Sequence, residues 1–356
     1  MYTPILRNRR SEMLAFQGLA PDVREHMLPL FDVAAPTKSV DLTAAEKYVA
    51  NNIARTEKAA HGFSWVLVDS SELHPEFRLS GGVHPLTAAA AAVAKGGARP
   101  IPVTGLHRDE AHHEAVKATL HQSDLWLCVR LDATDVSTAT MTLRSIKALL
   151  TEFALTTERA FLLLDLQGLH GLEVHVAAMP VVRLLGLLHA DRWAGIIIGG
   201  YGVPEQLSTA VSPKSQDYLP RIEQEVYVHA RPYAAGLAFW FADYTMLPPS
   251  VIELDWRLIS KVIAPKALYA LDDSWFVVRG GAFSSHPLGY AQYHNVASEI
   301  VALDEFSGPG FSPGDQYIAD RVASTAKPGS PATWITACVS HHLSLTARAH
   351  AAARSA

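Results

Sequence analysis

Short apolar runs recur along the chain, and segments with helical periodicity separate most of them. Several runs are apolar without interruption up to an aspartate at or near their end, as at 65–69 and 161–166, and the run at 195–200 contains no polar side chain. Continuous apolar runs are typical of strands that are covered on both faces of a parallel sheet. The pattern predicts eight strands at Tyr2–Leu6, Met27–Val33, Ser64–Asp69, Arg99–Thr104, Leu125–Leu131, Ala160–Leu166, Ala194–Gly200 and Gly236–Tyr244.

Helices are predicted between the strands, where apolar residues recur at spacings of three and four. The clearest of them cover Asp41–Thr56, Pro85–Lys95, Asp109–His121 and Ser137–Phe153. Asp41 and Ser137 are the expected N-caps of the first and last of these helices, because their short polar side chains accept hydrogen bonds from backbone N–H groups.

Eight strands that alternate with helices favour a closed parallel sheet, so the predicted fold is α/β, a (β/α)8 TIM-type barrel. An open doubly wound sheet is the alternative. That alternative would place a glycine-rich GxGxxG turn after the first strand, and the segment Leu6–Arg10 contains no glycine.

The pattern changes after Tyr244, where a break is predicted at 247–249. We expect a barrel over 1–247 and a C-terminal extension over 248–356 that packs on it. The extension should contain a β-hairpin and helices, with strands at Lys266–Ala270 and Trp275–Arg279 around the turn Leu271–Ser274, a helix near Tyr290–Leu303 and a loop at Ser307–Asp315.

Composition narrows the class of protein. Hydrophobic residues make up 49% of the chain and charged residues 18%, which indicates a globular protein. The formal net charge of -5 makes nucleic acid an unlikely partner. Cys128 and Cys338 are far apart and form no zinc motif, and no apolar run approaches the roughly 20 residues that span a bilayer. We therefore expect a cytoplasmic protein with no membrane partner.

The active site of such a barrel lies at the carboxyl ends of its strands. Polar residues fall there at Arg7, Asp32, Asp69, Thr104, Arg130, Asp132, Asp165, Gln167 and Asp243. Asp69, Asp165, Asp243 and Asp132 are the catalytic candidates. Converging carboxylates hold a hard divalent cation, with Mg²⁺ as the candidate cofactor, or divide acid and base roles. Alternatively, each aspartate caps a helix or pairs with an arginine.

Arg7, Arg130 and Arg279 are the candidate anion ligands, since a guanidinium binds phosphate or carboxylate through two parallel hydrogen bonds. An internal salt bridge is the competing role for each of them. Gly199 and Gly200 follow the seventh strand, where many barrels bind phosphate through backbone N–H groups. A tight turn would also require glycine at these two positions.

Histidine motifs add little, because the pairs at 112–113 and 341–342 form no HExxH pattern. His74 and His107 each follow a predicted strand and are weaker acid–base candidates. The chain contains no Walker A sequence or kinase motif set, and its GxSxG match at Gly310–Gly314 lies in the predicted loop without a preceding strand, which argues against covalent hydrolases and P-loop proteins.

Motifs at both ends of the chain carry a resemblance. They are Tyr2-x-Pro4-Ile5-Leu6-Arg7 with Glu12, followed by the segments 29–32, 241–244, 278–281, 311–318, 333–334 and 341–342. In this order they resemble the phage-named "beta protein" family of bacterial and phage proteins. The resemblance implies that these positions matter and that the gene lies near mobile elements or phage-defence genes. It implies no catalytic roles.

Physical reasoning on the C-terminal motifs favours structural roles. Phe311, Tyr317 and Trp334 should pack in a core, because buried aromatic side chains remove large areas from water. Asp315 and His341 should cap a helix or form internal hydrogen bonds.

Three functions remain open. The leading hypothesis is an enzyme of the hydrolase or phosphodiesterase type that binds a phosphorylated small molecule or nucleotide at the barrel mouth. The alternative is a non-catalytic sensor, or a component that binds a protein partner, in a phage-defence system. The third is a metal-dependent nuclease, to which clustered carboxylates are suited.

Overall fold

The computed structural model describes residues 1–36, 40–246 and 263–355. The break predicted at 247–249 lies outside the described residues. Within them, no helix combines the length and the apolar character that crossing a membrane requires.

Eight parallel strands close into a barrel, which confirms the TIM-type fold. They are β1 (Tyr2–Leu6), β2 (Leu30–Asp32), β3 (Trp65–Asp69), β4 (Arg99–Thr104), β5 (Leu127–Leu131), β6 (Ala160–Gly168), β7 (Gly195–Tyr201) and β9 (Phe239–Asp243). Each apolar run became a strand, although β2 is shorter than predicted. Continuous burial, as at 161–165 and 195–201, explains why these runs lack alternation.

The four helices predicted between strands and the one predicted near Tyr290–Leu303 are all present, among twelve in the described residues. The twelve are α1 (Arg10–Gln17), α2 (Pro21–Arg24), α3 (Leu42–Ala60), α4 (Pro85–Lys95), α5 (Glu110–Leu120), α6 (Ala133–Ser137), α7 (Ala139–Glu152), α8 (Val174–Leu188), α9 (Ile222–Ala230), α10 (Gln292–Val301), α11 (Pro313–Asp320) and α12 (Pro331–Ser355). Short 3-10 turns lie at Ser80–Gly82, His121–Ser123, Thr157–Arg159, Leu207–Thr209, Arg231–Ala234 and Gly289–Ala291.

One predicted cap is confirmed and one is wrong. The Asp41 side chain accepts a hydrogen bond from the backbone N–H of Ala44 at 2.8 Å, at the start of α3. Ser137 does not begin a helix. It is the last residue of α6, and its hydroxyl donates back to the carbonyl oxygen of Thr134 at 2.8 Å.

The chain divides into two compact units. The barrel unit comprises residues 1–9, 27–202 and 222–244, and the second unit comprises 10–26, 203–221 and 245–356. A domain boundary at 247/248 stays a prediction. Two segments that precede that point in the chain, 10–26 and 203–221, group with the C-terminal residues.

The second unit contains the predicted hairpin, formed by β10 (Lys266–Ala270) and β11 (Ser274–Arg279). A third antiparallel strand, β8 (Ser215–Pro220), pairs with β11 and was not predicted. Most side chains of β8 are exposed, so the strand has no apolar run that marks it.

Helix α12 is buried along much of its length and packs in the second unit. Near its start, Trp334 is 1% exposed and stacks on Tyr293 with ring centroids 4.7 Å apart. The predicted core role of Trp334 is therefore confirmed.

Candidate functional site

The carboxyl ends of the barrel strands bring together most of the predicted charged residues around one arginine. Arg130 lies on β5, and its Nη1 donates to the Oδ2 atoms of Asp32 at 2.8 Å and Asp69 at 2.7 Å. Its Nε donates to Oδ2 of Asp165 at 2.9 Å. Its Nη2 donates to the hydroxyl of Tyr244 at 2.7 Å, and that hydroxyl donates to Asp165 at 2.6 Å.

This network uses all three guanidinium nitrogens of Arg130, and its side chain is only 11% exposed. A ligand anion would have to displace a carboxylate that is already bound. Of the two roles predicted for Arg130, the internal salt bridge is the one that this geometry favours. Removing one partner of such a buried pair leaves an uncompensated charge. We therefore expect a substitution of Arg130 to lower the stability of the fold.

The carboxyls around Arg130 differ in their affinity for protons. Burial raises the pKa of Asp32 to about 6, against the opposing charge of Arg130 and with support from the negative charge of Asp69. Burial also acts on Asp69, but the guanidinium groups of Arg108 and Arg130 outweigh it and lower the pKa to about 2. Asp69 is thus the permanent anion of the cluster, whereas Asp32 takes up a proton in mildly acidic solution.

Tyr244 and Arg108 complete this region and were not among the candidate catalytic or ligand-binding residues, although Tyr244 belongs to the motif at 241–244. Tyr244 directly follows Asp243 at the end of β9, and burial raises its pKa well above the usual value. Arg108 lies in the loop after β4, and its Nη2 donates to both carboxylate oxygens of Asp69, at 3.0 and 3.3 Å. A rule that selects the last residue of each strand does not find a side chain four positions beyond it.

Beside Arg108 lies a cleft of about 280 Å³ in the barrel unit. It is formed by the loops that follow β3 and β4 and by the first turns of α4 and α5. Its lining residues are Ser70, Ser71, Leu73, His74, Pro75, Phe77, His84, Pro85, His107, Arg108, Asp109 and His112. Both His74 and His107, the weaker candidates from the sequence, therefore line this cleft.

Hydrogen bonds fix the tautomers of two of these histidines. Nδ1 of His84 accepts from the backbone N–H of Leu86 at 3.2 Å, and Nδ1 of His74 accepts from that of Glu76 at 3.3 Å. Burial first, then the charges of His112 and Arg78, lower the pKa of His84 to about 4. The neutral ring of His84 therefore carries its proton on Nε2, and an Nδ1 acceptor in His74 requires the same tautomer.

Arg108 differs from Arg130 in the number of guanidinium nitrogens that are left to bind a ligand. Among the described residues, Nη2 is the nitrogen of Arg108 that forms hydrogen bonds, and its side chain is 19% exposed. Nε and Nη1 are therefore available to a ligand in the cleft. Together with the serine hydroxyls and the two Nε2–H groups, they make the cleft rich in donors.

The other predicted catalytic aspartates lie elsewhere. Asp132 caps α6, where its carboxylate accepts from the backbone N–H of Asp135 at 2.9 Å. Asp243 is buried on β9 and accepts a hydrogen bond from the hydroxyl of Tyr2 at 2.6 Å.

The predicted anion ligands other than Arg130 also have internal partners, and the partner of Arg7, Glu72, acts electrostatically on Asp32 of the Arg130 network. Arg7 pairs with Glu72, whose Oε2 also accepts from the backbone N–H of Ala35 at 3.3 Å. Arg279 belongs to the second unit, where its Nη1 donates to the carbonyl oxygen of Val211.

Gly199 and Gly200 lie within β7, not after it, and have a packing role. A Cβ atom on Gly199 would lie 2.7 Å from Cβ of Ala242, and one on Gly200 would lie 2.6 Å from Cδ1 of Leu169. Both positions are buried. Close packing alone therefore requires glycine here, and phosphate binding at these two positions stays a prediction.

No group of three or more histidine, cysteine, aspartate or glutamate side chains among the described residues is arranged to hold a metal ion. Three carboxylates do converge at the barrel mouth, but the space between them is occupied by the guanidinium of Arg130. Their donor set suits an arginine and not Mg²⁺ in this arrangement.

The closed eight-stranded sheet, with polar clefts at its strand ends, defines the class as a (β/α)8 barrel protein with a second compact unit. The chain belongs to the Beta protein family, whose model matches residues 2–348. This confirms the resemblance that the terminal motifs indicated.

Other comparisons add little. A search of curated proteins found no match. One similar solved structure is that of Yersinia pestis DHPS with a pterine-sulfa conjugate. It is 15% identical, the match covers 69% of this chain and 87% of that one, and the TM-score is 0.39.

Proposed function

We propose that the barrel unit binds a phosphorylated small molecule, such as a nucleotide or a sugar phosphate, in the cleft beside Arg108. The observation that carries the proposal is the donor set of the cleft, with two uncommitted nitrogens on a guanidinium that Asp69 holds in place. A phosphate group offers acceptors only, so it matches a wall of donors. The volume of about 280 Å³ suits a ligand of the size of a mononucleotide or smaller.

The first turns of α4 and α5 support this choice. Each helix has 11 residues, and both begin at the cleft, so the positive ends of their dipoles add to the charge of Arg108. Asp109 lines the same cleft, but its carboxylate is engaged as the N-cap of α5, where it accepts from the backbone N–H of His112 at 3.0 Å.

The test is a thermal-shift titration with sub-millimolar nucleoside monophosphates and sugar phosphates at constant ionic strength. At ten times the dissociation constant a ligand stabilises the native state by about 1.4 kcal/mol, which raises Tm by roughly 2 °C for a chain of this length. Arg108→Ala should abolish the shift, because it removes the charged donor of the cleft.

Arg144→Ala is the matched control, since Arg144 is an exposed arginine of the same unit outside the cleft. It should retain the full shift. A panel without any shift in the wild type would contradict the proposal, and so would a shift that Arg108→Ala leaves unchanged. Arg130→Ala is a poorer probe because it disrupts the buried ion network itself.

A non-catalytic role is the second candidate function, and the closed network of Arg130 favours it. Carboxylates that bind an internal guanidinium are not available as bases, nucleophiles or metal ligands. On this hypothesis the barrel senses a phosphorylated ligand, within a phage-defence system if the gene context implied by the resemblance applies. Detection of product from any bound ligand, by mass spectrometry after prolonged incubation, would instead favour the hydrolase.

A further inference from the structure

The second unit contains a pocket of about 380 Å³ that the proposed function does not involve. Its walls come from the start of β8, the end of β11 with the glycines that follow, and α10. The lining residues are Lys214, Ser215, Gln216, Val278, Arg279, Gly280, Gly281, His286, Gln292, Asn295, Val296 and Glu299.

Two cationic side chains line this pocket, and neither has a carboxylate partner among the described residues. Nη1 of Arg279 donates to the carbonyl oxygen of Val211, which leaves its charge uncompensated. Lys214 is exposed, and its backbone has a left-handed conformation with φ of 59°. Non-glycine residues adopt this conformation at a cost, so the surrounding structure holds Lys214 in place.

The backbone between the two cations is held rigidly. The carboxamide of Gln292 accepts from the N–H of Gly281 at 2.8 Å and donates to its carbonyl oxygen at 3.0 Å. The backbone N–H of Lys214 donates to the carbonyl oxygen of Gly280 at 3.3 Å. Arg279 and Lys214 are therefore anchored to one pre-formed segment.

Close approach explains the paired glycines. A Cβ atom on Gly281 would lie 2.9 Å from Cε of Lys214 and 3.2 Å from Cδ2 of His286. A Cβ atom on Gly280 would lie 2.5 Å from Cγ of Pro265 and 2.8 Å from Oε1 of Gln292. The glycines thus allow the lysine side chain and the Gln292 carboxamide to lie against the backbone.

We propose that this pocket is a second ligand site, which binds the carboxylate or phosphate group of a small anion through Arg279 and Lys214. A guanidinium supplies paired donors to such a group, and an ammonium supplies a mobile point charge. Glu299, which also lines the pocket, disfavours a ligand with several negative charges. A single oxyanion group is therefore the preferred ligand.

The test uses inorganic phosphate and acetate as probes, at up to tens of millimolar and constant ionic strength, on the full chain with Arg108→Ala. That background removes the barrel cleft proposed above, so the outcomes of the two proposals are distinguishable. Isothermal titration calorimetry should give saturable binding. Arg279→Ala or Lys214→Ala should weaken it about tenfold or more, whereas Glu299→Gln should strengthen binding of phosphate.

Lys327→Ala is the matched control, because Lys327 is a lysine of the same unit that does not line the pocket. It should leave binding unchanged. A second readout needs no pocket variant. Phosphate should slow the modification of Arg279 by phenylglyoxal, as measured by peptide mass spectrometry. The modification of Arg144 should proceed at an unchanged rate. Absence of saturable binding, or equal binding by Arg279→Ala, would overturn the proposal, as would modification of Arg279 at an unchanged rate.

Discussion

At the scale of single residues, two arginines at the same barrel mouth have different roles. Arg130 is surrounded by three aspartates and Tyr244, whereas Arg108 has one aspartate partner and faces a cleft. The number of committed nitrogens separates a structural guanidinium from one that is available to a ligand. Residue type and position in the sequence do not make that distinction.

Asp32 gives a residue-scale prediction about pH. Its pKa is about 6 in the native state and roughly 4 in an unfolded chain, so the native state holds this proton where the unfolded state releases it. The contribution of Asp32 to stability is therefore largest below about pH 4 and declines as the pH rises to 6. The stability of Asp32→Asn relative to wild type should increase over that window.

Urea denaturation at several pH values between 4 and 7 measures this difference in the free energy of unfolding. Asp304→Asn is the control, because Asp304 is exposed and should show no such trend. A difference between Asp32→Asn and wild type that stays constant across the window would rule out the raised pKa.

At the scale of elements, α11 and α12 are joined by a buried polar cluster of the second unit. Nδ1 of His341 faces the Asp315 carboxylate at 3.0 Å, and its Nε2 faces the carbonyl oxygen of Ala270 at 2.8 Å. Asp315 also accepts from the hydroxyls of Tyr269 at 2.8 Å and Ser312 at 2.6 Å. Both ring nitrogens of His341 therefore have hydrogen-bond partners, one on α11 and one on β10.

Asp315→Ala should therefore lower the free energy of unfolding by about 3–5 kcal/mol, because it leaves the hydroxyls of Tyr269 and Ser312 and the ring of His341 buried without their common partner. Chemical denaturation monitored by circular dichroism measures the loss. Asp320→Ala at the exposed end of the same helix is the matched control and should change stability by less than about 1 kcal/mol. Equal losses in the free energy of unfolding for the two variants would contradict a stabilising role of the buried cluster.

Elements were predictable from the sequence where burial is continuous, and less so where it is one-sided. The eight barrel strands and the hairpin have apolar runs, but β8 is mostly exposed and has no such run. Ser137 was wrongly predicted as an N-cap because serine is also found in the last turn of a helix, where its hydroxyl donates to a carbonyl oxygen of that turn. Arg130, Asp69 and Asp165 were predicted correctly because they lie at strand ends. The position of a loop residue such as Arg108 depends on the path of the loop backbone, which hydrophobic periodicity does not reveal.

At the scale of the whole molecule, the second unit is assembled from three separate stretches of chain. Met13 and Phe16 of α1 are at most 1% exposed, and α1 packs against α12. A chain that ends at residue 246 keeps every barrel strand but loses the partner of α1. It should be insoluble or bind the dye ANS strongly, because this apolar face is uncovered.

Solubility after expression and ANS fluorescence check this expectation against a chain that ends at residue 351, which keeps most of α12 and should remain folded. A soluble, cooperatively unfolding 1–246 fragment that binds no ANS would contradict it.

The same arrangement has a consequence for synthesis. A ribosome makes α1 first and α12 last, so the partner of residues 10–17 emerges only after more than three hundred further residues. Domains generally fold as units while the chain grows, at about 5–20 residues per second. The second unit must wait some tens of seconds for its last helix, and during that delay the apolar face of α1 lacks the helix that covers it in the native state.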